Sequence, residues 1–228
     1  MGPALTEVGH EVLTVNSRTL EGLPREADMF IIAVKDDALA EVITRVAQGR
    51  ADQLMAHTAG SLPLSLFKGK VERYGVFYPM QSFSKERRVD FRQIPIFLEA
   101  SDDDSLTVMK TLAATISDSI YELDTAGRKY LHLAAVFACN FVNHCYTLAA
   151  DVLEQRGLPF SIMLPLIDET ARKGHQLHPR YAQTGPAVRN DRNVIGMQSQ
   201  LLSDNPSIQQ VYDLLSQSIH QKAIHQND

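Results

Sequence analysis

The sequence predicts an α/β protein with a parallel sheet followed by an all-helical domain, and three observations carry that prediction. Short β-rich runs alternate with turns or helical stretches as far as Leu123, the order of strand–helix–strand units. Two of these runs, MFIIAV and LMAHTA, are almost continuously apolar, as strands covered on both faces are. After Thr125 no strand signal remains, and helix-opening residues recur at Pro159, Asp191 and Asn205-Pro206, as expected of successive helices.

The elements follow in order. MGPALTEVGHEV reads as the end of a helix (Ala4–Val8) running into a strand, EVLTVNSR (Glu11–Arg18). Met29–Val34, Gln53–Gly60, Arg73–Pro79, Ile94–Ala100 and Ser119–Leu123 are the further strands. Asp36–Arg50 places Ala38, Leu39, Val42, Ile43 and Val46 at helical spacing behind an aspartate cap, which makes it an amphipathic crossover helix. Asp103–Ser117 is a second helix of this half. Beyond Leu123–Ala126 come a long helix (Thr125–Gly157), a helix over Phe160–Gln176, one over Asn193–Leu202, and one from Asn205-Pro206 to near His220. The predicted domains are therefore residues 1–124 and 125–228. The intervening segment His178–Asp191, rich in Pro and Gly, is too polar for pure packing.

Size and composition narrow the function classes. The chain has 228 residues, enough for a real core in one large or two small domains. With 44% hydrophobic and 21% charged residues it is a globular sequence. A net charge of −5 with no basic stripe argues against nucleic acid as partner. No unbroken apolar run approaches the ~18–20 residues of a membrane span, so no membrane is expected. Cys139 and Cys145 lie six apart on one helix and no Cys/His spacing suits a metal, so a reduced cytoplasmic setting fits. His175, His178, His220 and His225 likewise show no ligand spacing.

The long helix is apolar almost all round, which belongs in a core. At 100° per residue, with His132 at zero, Asn143 falls near ~20°, Lys129 and Thr147 near ~60°, and Asn140 near ~80°. A narrow stripe of Lys, His and Asn in such a helix requires partners, because a buried unpaired polar group costs ~1–3 kcal/mol. His132 is either a core histidine bonded to a backbone carbonyl or an acid/base. Lys129 reads as a solvated end-of-helix residue, and His144, at the stripe's far edge, as structural.

In the first half, three loops follow strand ends, where open parallel sheets bind ligands. They are Asn16-Ser17-Arg18-Thr19, Lys35-Asp36 and Thr58-Ala59-Gly60-Ser61. A dinucleotide fold that holds a free ribose 2′-hydroxyl has an acidic residue at the end of its second strand. Here Ser17 and Arg18 stand instead, suiting a 2′-phosphate. The alternative is a polar loop with an incidental arginine. The first strand and the G-x-G-x-x-G turn of such a domain are not found in the sequence, and only nine residues separate Thr19 from Met29.

The segments RYGVFYPMQSFSKERRVDF, RKYLHLAAVFACNFVNHCYTLA, LPLIDETARK and QTGPAVRND resemble a bacterial family of Rossmann-like proteins carrying a domain of unknown function, commonly taken for NADP oxidoreductases. The family is similar in plan to pyrroline-5-carboxylate reductase and 6-phosphogluconate dehydrogenase. The likeness covers nearly all of His10–His220. It implies NADP as cofactor, with Ser17, Arg18 and Thr19 meeting the 2′-phosphate. It further implies that Ala33, Val34, Lys35, Thr58, Ala59 and Gly60 line the dinucleotide. The helical stripe then occupies the place of the catalytic groups, and the helical half that of a homodimerisation domain.

The combined expectation is an NADP(H)-dependent oxidoreductase reducing a small carbonyl or imine compound. Histidine can supply the proton near neutral pH, and two amides can hold the polarised atom. His132, Asn140 and Asn143 are the catalytic candidates, and Thr184 and Arg189 the substrate candidates. Arg189 would grip a carboxylate bidentately, or else cap a helix or pair with Asp168 or Glu169. Tyr78, Gln81 and Ser82 follow the fourth strand run toward the same region. The alternative is a non-catalytic nucleotide-binding or interaction protein without the glycine-rich loop.

Overall fold

The computed structural model describes residues 1–84 and 87–225; Lys85 and Glu86, inside one recognised segment, lie outside them. The chain divides into two compact units, Met1–Phe141 and Val142–Asp228, with the division inside the long helix.

The first unit is Rossmann-like. Five strands, β1 (Phe30–Ile32), β2 (Met55–His57), β3 (Tyr74–Pro79), β4 (Ile96–Ala100) and β5 (Ile120–Glu122), form one sheet in sequence order. Side-chain alternation sends neighbouring residues to opposite faces. Leu54, Ala56, Phe77, Ile96 and Leu98 join α1 (Gly2–Glu7) and α3 (Asp103–Ile116) in one core. Phe30, Ile32 and Met55 join α2 (Asp36–Ala47) and Phe67 in another. At β1 and β2 both faces are covered, as their apolar runs require. β1–β2, β2–β3 and β4–β5 are parallel.

Three expectations are corrected. The β3–β4 pair is antiparallel. Among the described residues, the chain between these strands carries a 3₁₀ turn, Phe91–Gln93, and no crossover helix, so it returns in the opposite sense. Glu11–Arg18 forms no strand, since no strand among the described residues runs beside it. It runs without regular structure into the turn at Ser17, and His10, just before it, meets α3 through the Nε2 to Thr115 Oγ1 contact at 3.0 Å. The cap position of α2 is Lys35 rather than an aspartate, and Asp36 in the first turn instead accepts a hydrogen bond from the Ser61 hydroxyl. By contrast, Asp102 caps α3 through the Ser105 amide at 2.7 Å.

The long helix is composite: α4 (Thr125–Ala135), a π-helical stretch over Val136–Phe141, and α5 (Val142–Glu154). Asp124 caps α4 by accepting from the Gly127 amide at 2.7 Å. The helix is not a core helix in the single chain: Tyr130 is 77% exposed and Phe137 62%. By length and composition, Thr125–Glu154 is also long and apolar enough to cross a membrane. Counting unbroken apolar residues misses this, because scattered His and Asn interrupt the run without reversing its average.

In the second unit, α5 is followed by a 3₁₀ turn (Phe160–Met163), α6 (Leu164–Gln176), the short α7 (Pro179–Ala182) within the expected loop, α8 (Arg192–Gln200) and α9 (Pro206–Ile224). Asp191 and Asn205 cap α8 and α9 as anticipated. These two helices are joined by Gln209 Nε2 donating to Ser199 O at 3.0 Å and the Tyr212 hydroxyl to Gln198 Oε1 at 2.7 Å. Only Ala187 and Ile208 are buried apolar residues of this unit among those described.

Candidate active site

Three pieces of the first unit converge: the end of β3, the loop after β2, and α4. Tyr78 stands next to the end of β3, on the opposite face from buried Phe77. His132 projects from α4, half-buried, with its Nδ1 3.4 Å from the Tyr78 hydroxyl and the two rings edge-on at 6.4 Å. Gly60 fits between them. A Cβ at that position would lie 2.8 Å from both His132 Nδ1 and Tyr78 Cζ, so only a residue without a side chain lets all three approach. Burial pushes the Tyr78 phenol above its ordinary value of 10, with Arg128 opposing the shift.

The loop is pinned from both sides. At its start, the Thr58 amide donates to Ile32 O at 3.2 Å and the Ala59 amide to His57 Nδ1 at 3.1 Å. That bond leaves the proton of neutral His57 on Nε2, which is buried without a partner among the described residues. His57 stacks on Phe67 at 5.7 Å, and burial first, then Arg128, lowers its pKa to about 4. At the far end, Arg128 Nη2 donates to Leu62 O at 2.7 Å and the Leu64 amide to Thr125 Oγ1 at 3.2 Å. Thr125 donates in turn to Glu99 Oε2 at 2.8 Å, and Arg128 pairs with the same carboxylate. Arg128 is 1% exposed. Glu99, Thr125 and Arg128 are thus one polar knot, built round the buried arginine, that joins β4, α4 and the loop. Beside it, Glu99, Asp124, Thr125, Ala126, Lys129, Tyr130 and Leu133 line an open hollow of about 610 Å³.

The anticipated residues distribute as follows. Ser17, Arg18 and Thr19 form a turn, with Arg18 and Thr19 exposed. Arg45 of α2 holds its backbone, donating to Ser17 O at 3.3 Å and Arg18 O at 2.9 Å. Ala33 and Lys35 are exposed after β1, while Val34 packs against the core. Thr58, Ala59 and Gly60 lie in the pinned loop, and the structure brings Gly60 together with His132. Asn140 sits exposed in the π stretch, so the steady 100° step used to align it with His132 does not run through this part of the helix. Asn143, Thr184 and Arg189 are exposed in the second unit. Glu169 pairs with Arg172 at 2.5 Å, and Arg189 makes no ion pair among the described residues.

Arg128, Thr125 and Glu99 were not anticipated. The available signal was Arg128 itself, an arginine one helical turn before His132 in an otherwise apolar helix.

A two-faced sheet carrying polar loops at the ends of its parallel strands, with a histidine–tyrosine pair over one of them, has the form of a nucleotide-binding domain. The comparisons with known proteins identify the family. Residues 94–219 match the Domain of unknown function (DUF2520). A solved structure from Bacteroides fragilis, named "putative NADP oxidoreductase BF3122", is 47% identical, with a TM-score of 0.91 over 96% of this chain and 92% of that one. The chain therefore belongs to the DUF2520 family. A Thermotoga maritima protein is 24% identical with a TM-score of 0.71, covering 88% and 81% of the two chains. Plasmodium falciparum pyrroline carboxylate reductase, solved with NADP bound, is 9% identical with a TM-score of 0.57, covering 97% and 92%. These last two likenesses show the fold alone. No curated protein matches the sequence.

Proposed function

We propose that this protein is an NADP(H)-dependent oxidoreductase that reduces a small carbonyl or imine compound in the cytoplasm as a homodimer. The observation that carries the reading is His132 lying directly over Gly60, which sets an acid/base against a strand-end loop of a nucleotide-binding sheet. The 47% identical relative is named for NADP oxidoreduction, and a reductase of the same fold holds NADP. The exposed turn Ser17–Thr19, with its backbone tied down by Arg45, offers hydroxyls and a free guanidinium of the kind that suits a 2′-phosphate. Ala33–Lys35 and Thr58–Gly60 are assigned to the dinucleotide.

When bound, NADPH supplies the hydride. His132 donates the proton to the reduced oxygen or nitrogen. Asn140 and Asn143 are assigned to substrate orientation, and Thr184 and Arg189 to substrate binding, on their sequence pattern. Pairing of two chains would cover the apolar face that Tyr130 and Leu133 on α4 and Phe137 in the π stretch leave exposed.

A second reading, a non-catalytic nucleotide-binding or interaction protein, is favoured by one observation: the sequence contains no G-x-G-x-x-G turn. Titration with NADPH, followed by nicotinamide fluorescence, separates the two. Saturable binding is expected, and no binding at millimolar NADPH overturns the oxidoreductase reading. Oxidation of NADPH across a panel of small carbonyl and imine compounds then identifies the substrate class.

A further inference from the structure

Among the described residues, the Tyr78 hydroxyl and His132 Nδ1 have no hydrogen-bond partner other than each other. Their separation of 3.4 Å is long for such a bond, and catalytic hydrogen bonds are commonly long before ligand arrives. The approach is built rather than incidental. Gly60 is buried at the point where a Cβ would strike both rings. The Tyr78 ring also rests on Phe97 at 6.4 Å between centroids, which limits where its hydroxyl can go.

Taking His132 as the acid/base of the proposed reaction, we infer that Tyr78 is its positioning residue. The phenol engages Nδ1, so Nε2 is the ring nitrogen that presents a proton to substrate. The assignment follows from counting hydrogens. A phenol has one O–H to donate and lone pairs to accept with. If neutral His132 carried its proton on Nδ1, that N–H would donate to the phenol oxygen and the phenol hydrogen would have only water as an acceptor, no other protein acceptor lying in reach among the described residues. If the phenol donates to Nδ1, both groups are satisfied and the ring proton sits on Nε2. Burial keeps the phenol protonated at neutral pH, so the donor is present. The charged ring carries a proton on each nitrogen, with Nδ1–H donating to the phenol oxygen, and it is this form that gives the Nε2 proton to substrate and leaves a neutral ring protonated on Nδ1. Tyr78 therefore follows the ring through its cycle without ionising.

The tautomer is directly observable. Long-range nitrogen–proton correlation spectra of the uniformly ¹⁵N-labelled full chain, assigned with His132→Gln and recorded above the ring's titration, should show the Nε2–H form. In Tyr78→Phe the Nδ1–H form should become populated, a change that a merely structural tyrosine would not cause. An Nδ1–H ring in the unmodified protein, or an unchanged tautomer balance in Tyr78→Phe, overturns the assignment. Should the variant not fold, the unmodified protein's tautomer still decides. These spectra need no nucleotide, so a failure to bind NADPH removes the oxidoreductase reading and leaves this hydrogen bond to be judged on its own signal.

Discussion

The Arg128 guanidinium and the Glu99 carboxylate form an ion pair that is closed to solvent on the arginine side, with side chains 1% and 16% exposed. It joins α4 to β4, and through Leu62 O it also holds the loop that carries Gly60. Breaking such a pair strands a buried charge. Arg128→Met is therefore expected to cost about 3–5 kcal/mol in denaturant unfolding. The double variant Arg128→Met/Glu99→Leu should recover much of that loss, because no lone carboxylate then remains. A double variant no more stable than Arg128→Met would argue against the pair as the source.

Gly60→Ala inserts a methyl group where 2.8 Å separates its position from both His132 and Tyr78. Overpacking of this kind costs about 1–3 kcal/mol. The expected outcome is a lower unfolding midpoint together with an altered His132 ring signal. An unchanged ring signal in the folded variant would show that the three groups are not in contact.

The neutral state of His57 gives the protein an acid-sensitive component. Its folded pKa of about 4 lies below the ordinary value of 6.5, burial being the first cause, so the unfolded chain binds the proton more readily. Stability is then fully present above pH 6.5 and falls as the pH drops toward 4, by about 3 kcal/mol in all. His57→Phe should lose about 1 kcal/mol at pH 7, since the Ala59 amide loses its acceptor. Across pH 6.5 to 4 it should follow a shallower slope than the unmodified chain. Equal slopes in denaturant unfolding would reject the histidine as the source.

Arg18→Ala tests the adenosine end of the proposed cofactor site. Removing a charge-assisted contact to a 2′-phosphate should weaken NADPH by about tenfold to a hundredfold and leave NADH unchanged. Fluorescence titration with both nucleotides reads the ratio. An unchanged preference would reassign the 2′-phosphate.

What the sequence disclosed depends on how local each signal is. The crossover helix Asp36–Ala47 and the capped starts at Asp191 and Asn205 depend on residues a few positions apart, and they were readable. The antiparallel return of β4 follows from a β3–β4 connection in which, among the described residues, no crossover helix forms, and an apolar run in itself does not show that. Glu11–Arg18 has strand composition, but a strand exists only with a neighbour. The π stretch over Val136–Phe141 is a hydrogen-bonding choice within a sequence that also suits an α-helix. At the candidate site His132 and Gly60 were singled out separately, but the contact between them was not legible. Arg128 was hidden for the opposite reason: a charged residue reads as solvent-facing until its carboxylate partner, 29 positions away in the chain, is seen.

The strand order carries a kinetic consequence. Phe30 pairs with Met55, Met55 with Tyr74, Gly75 with Ala100 and Ile96 with Ile120, so each strand after β1 pairs with the strand made just before it. A nascent chain can extend the sheet one strand at a time as it leaves the ribosome, closing only short loops at each step. Arg128 then reaches Glu99 after the whole sheet has been synthesised. The latch that fixes the Gly60 loop becomes available only after every strand of the sheet has been made.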